Sequence, residues 1–191
     1  MTLITPEYPE RLRVILQRRV HATVVEADAR HAAVAVVVSA EAEPAFLFVK
    51  RQQRDGDPWS GHMAFPGGFE SQGETAVETA QRETEEETGL LLASIGEAIG
   101  VLDDVFPRSI YLPRVVVTPV VFRVEGRPPV GALAEVERAL WIPVAAVFAS
   151  SNRRPLDLDL PSGRMTFDSI VIGDVVIWGL TERILSQLAT L

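Results

Sequence analysis

The chain has 191 residues, 47% hydrophobic and 23% charged, with a formal net charge of −8 and no cysteine. That length and mix fit one globular domain with a full core. The negative charge argues against a nucleic-acid partner, which needs a basic face, and the lack of cysteine excludes disulfides, a thiol nucleophile and cysteine-ligated zinc. The opening stretch MTLITPEYPERLRV has no apolar core of signal-peptide length, and no apolar run approaches the ~18 residues of a membrane span, so a soluble cytoplasmic protein without a membrane partner is expected.

In chain order, Pro9 to Arg19 predicts a helix, with Leu12, Ile15 and Leu16 on one face among arginines. That face can cover the core edge or meet a second copy of the chain in a homodimer. His21 to Arg30 is a polar connector, so residues 1–30 form an N-terminal appendage and 31–191 the main body of a single domain. Ala32 to Val38, a valine-rich run, predicts a buried strand. Ala40 to Pro44 is an acidic turn, and Phe46 to Val49 the next strand, ending at Lys50, Arg51 and Arg54.

Residues 55–68 read DGDPWSGHMAFPGG, a long loop by its Gly, Pro, Asp and Ser content, with a short strand at His62 to Phe65. Loops of that length inside compact domains are usually functional. Trp59 and His62 are candidate ligand contacts; the alternatives are a core lid for Trp59 and an ordinary surface histidine for His62. Gly67 and Gly68 let the backbone approach a ligand or metal closely.

The next stretch predicts a helix with sharp ends. Thr75-Ala76-Val77-Glu78 fits a capping box. A start at Ser71 fits too, but would place Gly73 inside the helix at about 1 kcal/mol. Gly89 follows the last helical residue as a left-handed cap, with Leu90 behind it. Glu83, Glu86 and Glu87 share one face, where like charges at such spacings each cost roughly 0.2–0.5 kcal/mol. Such a cluster is a solvated face or a cation site, and hard divalent cations favour carboxylate oxygens.

Beyond it, Leu91 to Ile95 and Ala98 to Val101 read as strands, and Asp103 to Arg108 as a loop. Tyr111 to Val124 is a long strand in which Pro119 should mark a bulge or an unpaired edge. Glu135 to Leu140 predicts a short helix, Val144 to Ala149 another, and Ser150 to Pro155 a loop. Met165 to Ile172 is a strand, and Trp178 to Leu188 a closing helix with Ile184, Leu185 and Leu188 on its apolar side. Strands outnumber helices, which suits an α/β fold with a mixed sheet and helices packed on it.

Gly68, five residues, Glu74, seven residues, Arg82-Glu83, two residues, Glu86-Glu87, one residue and Gly89-Leu90 resemble the Nudix box. The seven of these other than Leu90 coincide at average usage with odds on the order of one in a million. Thr84 departs from the aliphatic residue usual at its position. The resemblance implies an α/β/α sandwich, a hydrolase of phosphoanhydrides, and Mg²⁺ or Mn²⁺ as cofactor. It makes Glu83, Glu86, Glu87 and the Gly68 carbonyl the metal ligands, and Arg82 the residue that orients the box carboxylates, with Glu74.

Arg54 to Gly68 and the closing run Val176 to Leu185 further resemble the coenzyme A pyrophosphatase branch, which cleaves coenzyme A or its thioesters to 3′,5′-ADP and a 4′-phosphopantetheine product. Gly61 and Phe65-Pro66-Gly67-Gly68 match that branch's loop signature, while Asp57 stands where the signature has arginine. Arg54 is the candidate substitute.

A net-acidic protein needs positive charge to hold a diphosphate. Metal on the glutamates supplies it and lowers the pKa of an attacking water. Arg51 and Arg54 are candidate phosphate forks, and His62, Phe65 and Gly67 complete the expected substrate contacts. The general base is left among Glu86, Asp103, Asp104 and Glu135. Competing readings are hydrolysis of ADP-ribose or another nucleoside diphosphate derivative, and a non-catalytic nucleotide-binding Nudix domain.

Overall fold

The computed structural model describes residues 6–53, 61–107, 113–134, 136–160 and 163–191. At its centre lies β1 (Arg30–Ala40), the valine-rich run. It pairs in parallel with β6 (Val115–Glu125) along its whole length, from Arg30 opposite Val115 to Ala40 opposite Glu125. On the far side of β6 lies β5 (Glu97–Val101), antiparallel.

The other edge of β1 is shared, and this sharing positions the site. Near Val38 it meets β2 (Ala45–Arg51), antiparallel, at Phe46. Towards its start it pairs instead with β4 (Gly67–Phe69), with Val34 opposite Gly67 and Ala33 opposite Gly68. Short β3 (Met63–Ala64) pairs with the end of β2. The segment from β3 to β4 therefore wedges between diverging β1 and β2, pinned by the Ala35 N–H donating to Pro66 O at 2.7 Å. The free edge of β2 takes β7 (Val136–Pro143), antiparallel. A separate antiparallel sheet holds β8 (Arg153–Leu160), β9 (Gly163–Ile172) and β10 (Val175–Trp178).

Helices cover both faces of the mixed sheet, the α/β/α sandwich expected. On one face α2 (Ala76–Thr88) and α3 (Leu92–Ile95) bury Ala80 and Leu92 against Ala33, Ala35, Val37, Val120 and Phe122. On the other, α1 (Tyr8–Gln17), α4 (Val144–Phe148) and α5 (Gly179–Ala189) pack on Val36, Val38, Phe46 and Phe48. The N-terminal helix thus shares this core through Tyr8, Leu12 and Leu16. Double coverage explains why β1 reads as a continuous apolar run rather than an alternating one. Among the described residues, no helix is long and apolar enough to cross a membrane.

Three expectations are corrected. Leu91 to Ile95 is not a strand: residues 92–95 form α3, in which Leu92 is fully buried while Leu91 and Ile95 stay about half exposed. Residues 136–140 are not helical, because the open edge of β2 offers a ladder that overrides local preference. The loop expected to run to Pro155 ends in a 3-10 turn over Ser150–Asn152, where β8 begins. Pro119 lies in the inner strand β6, and the side that lacks a donor is unpaired in the β5 ladder, in line with the expectation. Its carbonyl accepts from Leu102 N–H, one residue past the end of β5. A strand residue turns its N–H and C=O to the same neighbour, so the missing donor falls where the β5 ladder has already stopped.

Candidate active site

The box helix forms as its sequence dictates. Thr75 is its N-cap: the Thr75 hydroxyl accepts from Glu78 N–H at 3.3 Å, and Glu78 Oε2 accepts from Thr75 N–H at 2.8 Å. Gly89 closes it at φ 73°, left-handed. Thr84 is fully buried where an aliphatic residue is usual, and its hydroxyl donates to Ala80 O at 2.7 Å, so no polar atom is stranded.

Arg82 gathers the acidic face. Its Nε and Nη2 fork onto Glu74 at 2.7 and 3.0 Å. Nη2 also reaches Phe69 O at 3.1 Å, and Nη1 reaches Glu83 at 2.8 Å and Glu86 at 3.3 Å. One delocalised cation thereby offsets three carboxylates and ties the helix to the end of β4. The Arg82 hydrogen bonds, helped by Ser71 N–H and the Thr79 hydroxyl, hold Glu74 down to a pKa of about 2. The Glu74 and Glu83 carboxylates in turn push the Arg82 guanidinium further above its ordinary value. Arg82 thus contacts Glu74, Glu83 and Glu86, the carboxylates that the resemblance expects it to orient.

Gly68 sits against Glu83. A Cβ at this position would stand 2.5 Å from Glu83 Oε2 and closer still to its carboxyl carbon. Only a residue without a side chain lets this carboxylate lie on the strand backbone. Glu87, 6% exposed, turns the other way: its Oε2 accepts the Gly67 N–H at 3.1 Å, and its Oε1 lies 3.8 Å from Arg51 Nη1. Glu86 is the most open of the three, with just over half of its side chain exposed.

Among the described residues no three carboxylate or imidazole side chains converge on one point. The donor set nevertheless suits a hard cation. It is all oxygen, it is held by a capped helix, and it abuts a backbone position where any side chain would displace the Glu83 carboxylate. A cation held here would share Glu83 and Glu86 with Arg82.

The expected substrate contacts divide. Arg51, the last residue of β2, faces Glu87. His62 lies beside it in the chain path, its carbonyl accepting Arg51 N–H at 3.1 Å and its ring edge-on to Trp178 at 4.6 Å. Phe65 is corrected: it is 2% exposed and stacked on Phe48 at 4.8 Å, so its ring belongs to the core. Gly67 donates its N–H to Glu87 at 3.1 Å. Arg54, Asp57, Trp59 and Glu135 lie outside the described residues.

Asp103 and Asp104 are corrected as general bases. Asp103 pairs with Arg19 and accepts Ala22 N–H, while Asp104 accepts Val24 N–H and the Thr118 hydroxyl. They clamp the N-terminal connector to the sheet. Sequence reasoning missed Gln52 and the turn at residues 131–134, which touch both Glu87's helix and the end of β2. Their signal is only a Gly-containing loop at the right distance from a strand, which many loops share.

The NUDIX domain family model matches residues 29–160. The chain is 33% identical over 121 residues to an uncharacterised protein of Schizosaccharomyces pombe, covering 61% of this chain and 37% of that one. It is 29% identical over 161 residues to the uncharacterised Nudix hydrolase NudL of Pectobacterium atrosepticum, covering 84% and 81%. A 61-residue stretch is 44% identical to the ADP-ribose pyrophosphatase of Methanocaldococcus jannaschii, covering 32% of this chain and 34% of that one. The chain thus spans about a third of the Schizosaccharomyces and Methanocaldococcus proteins. A crystal structure of a MutT/nudix family protein from Enterococcus faecalis matches with a TM-score of 0.57 at 19% identity, over 97% of this chain and 72% of that one, a likeness of fold.

Proposed function

The chain belongs to the Nudix hydrolase family, and on that premise we propose that it hydrolyses the diphosphate bond of coenzyme A or an acyl-coenzyme A to 3′,5′-ADP and a 4′-phosphopantetheine product. The observation that carries this reading is the run Gly61, Phe65-Pro66-Gly67-Gly68 leading straight into the box. In the fold it forms the wedge that brings the Gly68 backbone onto Glu83 and Gly67 onto Glu87.

Glu83, Glu86, Glu87 and the Gly68 carbonyl would hold Mg²⁺ or Mn²⁺, which supplies charge neutralisation and a more acidic bound water. The remaining work falls to the chain. Arg51 faces the same carboxylate cluster and offers a fork to a phosphate, with Arg54 as the candidate second cation. Arg82 fixes the direction of the Glu83 and Glu86 carboxylates. Water adds to one phosphorus, the bridging oxygen leaves with the other phosphate, and the proton passes to a base. Glu86 suits that base because it is the most solvent-open of the box glutamates; Glu135 is the candidate from a later loop.

A second reading is hydrolysis of ADP-ribose, favoured by the 44% identical stretch shared with an ADP-ribose pyrophosphatase. It fits Asp57, which cannot make the phosphate contact of the arginine in the coenzyme A signature. Product chromatography after incubation with Mg²⁺ or Mn²⁺ separates the two. Release of 3′,5′-ADP from coenzyme A, well above turnover of dephospho-coenzyme A, ADP-ribose and nucleotide sugars, is the expected result. Cleavage of ADP-ribose with coenzyme A untouched refutes it.

A further inference from the structure

The last turn of any α-helix leaves carbonyls without helical partners. In α2 that turn carries Glu87, and its carbonyls are met by the Gly89 cap and by residues far along the chain. Gly89 N–H donates to Glu85 O at 2.8 Å, Gly131 N–H to Thr88 O at 2.9 Å, and Leu133 N–H to Glu87 O at 3.0 Å. The Leu133 side chain lies over Gly89, where an added Cβ would meet Leu133 Cδ1 at 3.5 Å. Glu87 is therefore held twice, through its carbonyl by Leu133 and through its carboxylate by Gly67.

The same turn reaches β2. Ala134 adopts φ 48°, a left-handed conformation that alanine avoids. Val136 N–H returns to Leu133 O at 3.0 Å, and Val136 stands opposite Arg51 where the β2–β7 register shifts. Gln52, next to Arg51, donates its amide to Ala134 O at 3.3 Å and Val136 O at 3.4 Å. A strained residue persists only where its surroundings over-determine it, and such residues cluster at functional sites.

We propose that residues 131–134, with Gln52, form a positioning cap that sets Glu87 on α2 against Arg51 on β2. The proposal rests on the diphosphatase reading above. Neither Gln52 nor Ala134 needs to touch the substrate. They act by fixing the spacing between a cation ligand and a phosphate fork, now 3.8 Å apart. A misplacement on the order of 1 Å can lower turnover by about 10²-fold.

The test uses two variants of the full chain. Ala134→Gly accepts the left-handed backbone without strain, so the fold keeps its stability while the turn gains freedom. Gln52→Leu removes the two side-chain donations at an exposed position. The expected result for both is a Tm within about 3 °C of the parent, a kcat reduced roughly tenfold and a KM within about twofold. The Leu133 amide should exchange hydrogen about tenfold faster. A purely structural role would not lower kcat while sparing both Tm and KM. The proposal is overturned if both variants keep the parental kcat at temperatures where they are folded. Unchanged exchange at Leu133 in both also overturns it, whatever the substrate. A parent chain inert towards every diphosphate in the panel would sink the functional reading alone, leaving exchange to decide the cap.

Discussion

Two neighbouring glycines should fail in opposite ways. Alanine at position 68 puts a Cβ 2.5 Å from Glu83 Oε2, about 1 Å inside ordinary contact. The obstruction is the far end of a flexible side chain, so the carboxylate swings away and the strand stays. Gly68→Ala should therefore keep its Tm within about 3 °C and lose about 10²-fold in kcat, the usual consequence of a 1 Å misplacement. Its apparent affinity for Mn²⁺ should weaken as well. At position 67 an added Cβ meets backbone: it would stand 2.7 Å from Val34 Cα and closer still to Ala33 O, across the β1–β4 ladder. Nothing there can swing aside, so Gly67→Ala should lower stability by about 2–4 kcal/mol through overpacking and strand displacement. Thermal melts beside metal-titrated turnover of the preferred diphosphate give both readouts. Gly68→Ala with full turnover and unchanged metal affinity would refute the claim that Glu83 is held for a cation. Equal melting losses in both variants would refute the distinction between side-chain and backbone obstruction.

Other outcomes follow from the same geometry. Glu87→Gln should cut turnover by orders of magnitude with a Tm change of only a few degrees, since an amide oxygen can still accept Gly67 N–H; parallel losses of melting temperature and activity would assign it a structural role. Arg82→Lys exchanges a fork for a point charge and should lower stability by roughly 1–2 kcal/mol, checked by denaturant titration. Glu74 has a folded pKa of about 2, below its ordinary value, so its contribution is present above pH ~4.5 and is lost as pH falls towards 2. Melts from pH 6 to 2.5 should show a shallower acid decline in Glu74→Gln than in the parent; coincident slopes would contradict the pairing with Arg82.

What was legible in the sequence is what local chemistry decides. Thr75, Glu78 and Gly89 announce the ends of α2 because caps are made by residues within a few positions of one another. The acidic face follows from helical spacing, and the pairing of Arg82 with Glu74 is an expectation that comes from the resemblance to the Nudix box. The valine run of β1 announced a strand buried on both sides. What was hidden depends on closure between distant segments. Whether residues 136–140 are helix or strand is settled by the vacant edge of β2, and whether Pro119 is tolerated by where β5 stops. Arg51 meets Glu87, and Gly131 meets Thr88, only after β1 and β2 have splayed apart around the wedge. Asp103 and Asp104 offer the same carboxylates as a catalytic loop would, and only their partners Arg19, Ala22, Val24 and Thr118 distinguish a clamp from a base.

Phe65 shows how a motif residue can support a site without belonging to it. It sits in the loop signature, two residues before Gly67, and a ligand contact was expected. Its ring is instead 2% exposed, stacked on Phe48 at 4.8 Å and edge-on to Phe46 at 6.2 Å. That burial anchors the wedge and so fixes where Gly67 and Gly68 emerge. Phe65→Ala should then cost about 3–5 kcal/mol, a fall of about 10 °C or more in Tm for a chain of this size. Phe65→Leu, which refills most of the volume, should recover much of that loss and most of the turnover. A substrate contact would behave otherwise: KM would rise in both variants while melting stayed near the parent, and that pattern would return Phe65 to the binding surface.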